Sequence, residues 1–156
     1  MQYAGLKLGM SPQEVMYTKG YPSGVFGEKE ESDPVWKGWF HIIKTNELPE
    51  GKKVTDYTVW SYDQYKHSIN VGFNNERTAV IDISCKSEDK DARCPSIGSV
   101  RDGISEQDAV RKLGTPYEQR IEGVTKRLLF PQLGVALALM QEKVFYLKVY
   151  DPQPNR

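Results

Sequence analysis

Hydrophobic residues alternate with polar or small ones along several stretches of this chain, and this period of two predicts β-strands. The clearest case is Val135, Leu137 and Leu139, which are separated by single alanines. The predicted strands cover residues 56–62, 67–73, 78–83, 125–130, 135–139 and 144–150. Short polar turns separate neighbouring strands in each half of the chain, so we expect two antiparallel meanders.

A second pattern precedes each predicted meander. Gly9–Pro22 and Gly103–Pro116 lie 94 positions apart, and five of their residues are identical without a gap. Each segment has a serine followed three residues later by an acidic residue, which is typical of a helix start, and a later glycine that can end the helix. The capping pairs are Ser11 with Glu14 and Ser105 with Asp108, and the terminal glycines are Gly20 and Gly114. We therefore predict a helix of two to three turns in each segment.

The repeated segment predicts a duplicated fold. The helices are offset by 94 positions and the strands by 66, so the first unit carries about 28 extra residues, within 23–57. We expect an α+β fold of two tandem helix-plus-antiparallel-meander units that share one sheet, with the helices on one face. Residues 1–95 would form the first unit and residues 96–156 the second.

The repeated segment also resembles a known family. Its pattern, Gly-(Met/Ile)-Ser-x-x-(Glu/Asp)-(Val/Ala)-(Met/Val) ending near Gly-x-Pro before a meander, is similar to that of the β-lactamase inhibitor protein fold. The small outer-membrane lipoproteins that assist β-barrel assembly share this pattern. The resemblance covers most of residues 6–150 and implies an extracytoplasmic protein that binds other proteins and catalyses no reaction.

The charge balance excludes one class of partner. The 156 residues carry 21 basic and 21 acidic side chains, so the formal net charge is zero, and neither half has a basic surface for phosphate groups. We predict no nucleic-acid partner. No apolar run approaches the ~20 residues of a membrane-spanning helix, although association with the cell envelope fits the resemblance.

The two cysteines, Cys85 and Cys94, flank a charged loop between the first meander and the second repeated segment. A pair in this position favours a disulfide in an oxidising compartment. Free thiols and a metal site are the alternatives, but His41 and His67 are distant in sequence, so we predict no metal and no cofactor. We expect a periplasmic or secreted protein whose leader has been removed.

Sequence patterns for catalysis are weak. His41 and His67 fall within or beside strand-like segments, and neither has a nucleophile elbow nearby. The acidic run between Glu28 and Asp33 reads as a solvated loop more readily than as a pair of catalytic carboxylates. We therefore expect that the protein is not an enzyme.

Large aromatic residues are concentrated in the first half of the chain. The candidate binding residues are Trp36, Trp39, Phe40, Trp60, Tyr62 and Tyr65. Some must belong to the core, but a surplus of aromatics beside an insertion is typical of a binding hot spot. We expect contact with a protein partner through a sheet face and the inserted loops. The alternatives are a small-ligand or cell-envelope-component binding protein and, less favoured, a hydrolase.

Overall fold

The computed structural model describes residues 2–28, 42–63, 67–85, 96–97 and 99–151. Two α-helices lie in these ranges, α1 (Pro12–Lys19) and α2 (Glu106–Leu113). The strands are β1 (Gln2–Tyr3), β2 (Leu6–Lys7), β3 (Gly24–Glu28), β4 (Ile43–Lys44), β5 (Tyr57–Asp63), β6 (His67–Asn74), β7 (Arg77–Cys85), β8 (Glu118–Glu122), β9 (Thr125–Phe130), β10 (Val135–Met140) and β11 (Lys143–Tyr150). Within the described ranges, neither α-helix is long and apolar enough to cross a membrane.

Both predicted helices are confirmed, and their ends lie where the capping residues place them. The Glu14 backbone N–H donates to Ser11 Oγ over 3.2 Å, and the Asp108 N–H donates to Ser105 Oγ over 3.1 Å. Gly20 and Gly114 end the helices with φ angles of 83° and 93°, which are strained for residues that carry a Cβ atom.

Nine strands form one antiparallel sheet in the order β4-β3-β5-β6-β7-β11-β10-β9-β8, while β1 and β2 form a separate hairpin. Neighbours in the sheet are also neighbours along the chain, except where β3 pairs with β5 and, at the centre of the sheet, where β7 pairs with β11. In that central pair, Ile83 lies opposite Leu147 and Asp82 lies opposite Lys148.

The predicted fold class is wrong. The described chain is dominated by one large antiparallel sheet with two short helices, and it is not an α+β arrangement of two helix-plus-meander units. Each repeated segment forms a helix of only eight residues, about two turns. Each helix buries one residue, Val15 in α1 and Ala109 in α2, so the helices do not form a separate layer.

The two faces of the sheet differ in polarity. A continuous apolar row crosses the first face in the register Tyr62, Ile69, Ile83, Leu147, Leu137 and Leu128. Val15 of α1 and Ala109 of α2 are fully buried in the same hydrophobic cluster as this row. Both helices therefore pack on the first face, and that face forms the core.

Candidate functional site

Two of the predicted aromatic binding residues are part of this core. Trp60 is 1% exposed, donates from Nε1 to the Val54 carbonyl over 2.9 Å and contacts the Phe73 ring edge-on at a centroid distance of 4.9 Å. Tyr62 is 5% exposed, and its hydroxyl donates to the Gly20 carbonyl over 3.0 Å. Burial raises the pKa of Tyr62 above its ordinary value. These contacts correct the expectation for both residues, because neither side chain has surface to offer a partner.

The other four aromatic candidates, Trp36, Trp39, Phe40 and Tyr65, lie outside the described residues. Cys94 and the side chain of Cys85 lie outside them as well. The predicted binding role of these aromatics and the predicted disulfide stay predictions.

The second face of the sheet carries a polar row that the sequence did not single out. Ser61 of β5 lies opposite Asn70 of β6, Asn70 lies opposite Asp82 of β7, and Asp82 lies opposite Lys148 of β11. Residues directly opposite each other share a face of the sheet. Four polar side chains from four adjacent strands are thus aligned across the middle of the sheet.

A sequence signal for this row does exist. Ser61, Asn70 and Asp82 each stand between two large apolar residues of a predicted strand. Aligning the centres of the three strands would have placed them side by side. Trp60 and Tyr62, on either side of Ser61, instead predicted an aromatic binding surface, and their side chains lie on the opposite face.

Asp82 is the most buried member of the row, with 1% of its surface exposed. Its Oδ1 accepts a hydrogen bond of 2.9 Å from Asn70 Nδ2. Burial raises the pKa of Asp82 to about 6, against the opposing effects of Asn70, Tyr146 and Lys148. Tyr146 is a further hydrogen-bond partner of the Asp82 carboxyl group.

Lys148 lies opposite Asp82 in the same buried environment. Burial lowers the pKa of its ammonium group to about 8, although the neighbouring Asp82 carboxylate acts in the opposite direction. Tyr146 lies on the same face two residues earlier in β11, and burial beside Asp82 raises the pKa of its hydroxyl. The centre of the second face is therefore a poorly solvated polar cluster on an antiparallel sheet.

One end of this row opens into a groove of about 680 Å³ above β3, β5 and β6. The groove is lined by Ser23, Gly24, Ile42, Lys44, Thr45, Asn46, Ser61, Asp63, Ser68 and Asn70. Its floor consists of sheet residues on the second face, and its wall is the segment from Ile42 to Asn46. Lys44 and Asp63 contribute one charge of each sign, and most of the other side chains carry hydroxyl or amide groups.

Internal hydrogen bonds fix the shape of the groove. Ser23 Oγ donates to the Ser61 carbonyl over 3.0 Å and accepts from the Asp63 N–H over 2.8 Å. Ser68 Oγ donates to Asp63 Oδ1 over 3.0 Å. Thr45 Oγ1 donates to the Pro22 carbonyl over 2.6 Å, which anchors the wall to the segment that precedes β3. The groove is preformed, so an occupant would not have to order its lining.

The hydroxyl groups of the groove take part in hydrogen bonds within the chain. Its serines donate to carbonyl or carboxylate oxygens of the chain itself. The described residues include no group of three histidine, cysteine or acidic side chains placed to hold a metal ion.

Comparison with known proteins gives a likeness of fold alone. No family model matches the chain, and no curated protein matches it significantly. A crystal structure of a cysteine-rich secretory protein from Staphylococcus aureus subsp. aureus Mu50 is similar, with a TM-score of 0.50 and 7% sequence identity. The match covers 94% of this chain and 44% of that protein, so the chain spans less than half the length of its neighbour.

Proposed function

We propose that this chain is a non-enzymatic binding module that contacts a protein partner through the second face of its sheet. The observation that carries the proposal is the groove on that face, opposite the face filled by the helices. Ile42 at the wall of the groove is an exposed apolar residue among polar ones. An apolar contact within a polar surround is the usual composition of a protein–protein interface.

An extracytoplasmic location is part of the proposal. It rests on the cysteine pair Cys85 and Cys94 and on the resemblance of the repeated segments to inhibitor and assembly proteins. Both features favour a partner that is located in the cell envelope or in the surrounding medium.

Affinity capture with the purified protein tests the proposal. The bait variants are Asn46→Arg, which places a large cation in the groove, and Gln107→Arg, which places the same group on exposed α2. Asn46 lines the groove and Gln107 does not. We expect an envelope protein that binds wild type and Gln107→Arg, and whose dissociation constant rises at least ~10-fold with Asn46→Arg, as expected for loss of about 1.4 kcal/mol. Equal binding by all three baits would contradict the proposal.

A second candidate function is binding of a small polar ligand or envelope component in the same groove. The volume of about 680 Å³ lies within the ~300–1,000 Å³ of typical small-molecule sites. Hydroxyl and amide groups with balanced charge suit an uncharged, hydroxyl-rich molecule such as a saccharide. Protease treatment of the extract separates the candidates, since it destroys a protein partner and leaves a saccharide able to bind.

A further inference from the structure

Asn70 belongs to two parts of the second face of the sheet. Its side chain lines the groove, and its Nδ2 donates a hydrogen bond of 2.9 Å to Asp82 Oδ1. Asn70 on β6 and Asp82 on β7 lie directly opposite each other, so their side chains meet without an intervening strand. One hydrogen bond therefore connects the buried carboxyl group with the lining of the groove.

The surroundings of Asp82 make it the member of this cluster whose charge changes near neutral pH. Among the described residues, the charged and titratable groups that interact with Asp82 or with its neighbours are Tyr3, Asp102, Arg127, Tyr146 and Lys148. Burial raises the pKa values of the two tyrosines above their ordinary values and lowers that of Lys148 only to about 8, so these three groups keep their charge states between pH 5 and pH 7. Burial raises the pKa of Asp82 to about 6, against the opposing effects of Asn70, Tyr146 and Lys148.

Protonation of Asp82 weakens its hold on Asn70. An ionised carboxylate only accepts hydrogen bonds, and an amide N–H bonds to it more strongly than to a neutral carboxyl group. The ionised Asp82 therefore fixes the Asn70 amide firmly beside Ser61, which lies opposite Asn70 in the floor of the groove. After protonation the same contact is a neutral hydrogen bond, and the amide is held less firmly.

We propose that the protonation state of Asp82 regulates binding at the groove and that the side chain of Asn70 transmits the change. This inference rests on the proposed function, because it concerns the same groove. An occupant that contacts Asn70 meets a fixed amide when Asp82 is ionised, but it has to order that amide when Asp82 is protonated. Binding is therefore tighter above the pKa of Asp82 than below it.

A pH titration of the free protein, followed by NMR between pH 4 and pH 8, tests the connection without any partner. We expect the Asp82 carboxyl carbon and the Asn70 side-chain amide to titrate with one common midpoint, near pH 6 as the pKa of about 6 implies. The side-chain amide of Gln107, which does not line the groove, should not follow this midpoint. An Asn70 amide that does not move together with the Asp82 carboxyl carbon would overturn the proposal.

Two variants assign the titration to Asp82. Asp82→Asn nearly keeps the shape of the side chain but has no carboxyl group, so the Asn70 amide should lose its titration step. Lys148→Gln removes the cation that lowers the pKa of Asp82, so the common midpoint should move to higher pH. Far-UV circular dichroism checks that each variant is folded. A step that persists unchanged in Asp82→Asn would belong to another group and would contradict the proposed role of Asp82.

Binding of the envelope protein captured by the wild-type bait, measured at pH 5 and pH 7.5, tests the regulation itself. We expect the dissociation constant of wild type to be at least ~3-fold higher at pH 5, because one charge-assisted hydrogen bond has become neutral. The dissociation constant of Asp82→Asn should change much less, and this comparison removes the effect of groups that titrate on the partner.

The two measurements fail separately. Equal pH dependence of binding in wild type and Asp82→Asn would overturn the regulation and leave the proposed function standing. If the Asn70 amide follows Asp82 in the free protein but no partner is captured at either pH, the proposed function is contradicted, while the connection between Asp82 and the groove is supported.

Discussion

At the scale of single residues, Asp82 shows how position in the sheet overrides local sequence. Ile81 and Ile83 point into the core, so Asp82 points to the second face, where a polar residue of a half-buried strand belongs. That face is nevertheless closed around Asp82, which stands at the central β7–β11 junction. The result is a buried carboxyl group with a raised pKa.

This pKa predicts how stability depends on pH. The folded-state pKa of about 6 lies above the ordinary value of 3.8, so the folded protein binds the proton more tightly than the unfolded chain. The stability linked to Asp82 is fully present below pH 3.8 and is lost as the pH rises through about 6. Between pH 4 and pH 7, the free energy of unfolding of wild type should therefore fall by about 1–3 kcal/mol relative to that of Asp82→Asn, which has no carboxyl group at this position.

Urea denaturation at several pH values measures this difference. Parallel stability curves for wild type and Asp82→Asn would show that the Asp82 pKa is not raised in the folded protein.

Trp60 provides a second prediction at this scale. Because its ring is buried and its Nε1 is bonded to Val54, Trp60→Ala should lower the free energy of unfolding by about 3–5 kcal/mol. Tyr17→Ala should change it by less than about 0.5 kcal/mol, since Tyr17 is an exposed aromatic residue. Thermal melts compare the two variants, and a Trp60→Ala protein as stable as wild type would contradict the core assignment.

At the scale of elements, the sequence predicted the helices and strands that depend on residues close together in the chain. The helices were identified because Ser11, Ser105, Gly20 and Gly114 act on their own neighbours. Strands β5, β6, β7, β9, β10 and β11 were identified to within a few residues because their apolar residues alternate. β8 was missed because Glu118–Glu122 contains a single apolar residue, and pairing with β9 holds it in the sheet.

The helix caps give a prediction at this scale. Ser105→Ala should cost about 1 kcal/mol of unfolding free energy, because it leaves the Asp108 N–H without its acceptor. Ser105→Thr keeps a hydroxyl group at the cap and should recover most of that loss. Urea denaturation of both variants measures the effect, and equal stability of the alanine and threonine variants would exclude a contribution from the cap.

At the scale of the whole molecule, the sequence failed in two respects. It predicted an α+β fold because the repeated helical segment is its most conspicuous pattern, whereas one nine-stranded antiparallel sheet dominates the described residues. It also did not reveal the groove, because Ser23, Asp63 and Ser68 come together only when β3, β5 and β6 pair. Both features depend on strand pairing between distant segments.

The central claim is that a partner binds at the second face of the sheet. Backbone amide chemical shifts, followed by NMR during titration with the captured partner, test it most directly. We predict that the largest changes occur at Lys44, Asn46, Asp63 and Ser68 around the groove. Changes confined to α1, α2 and the β1–β2 hairpin, with these four amides unmoved, would place the partner on the other face and contradict the account.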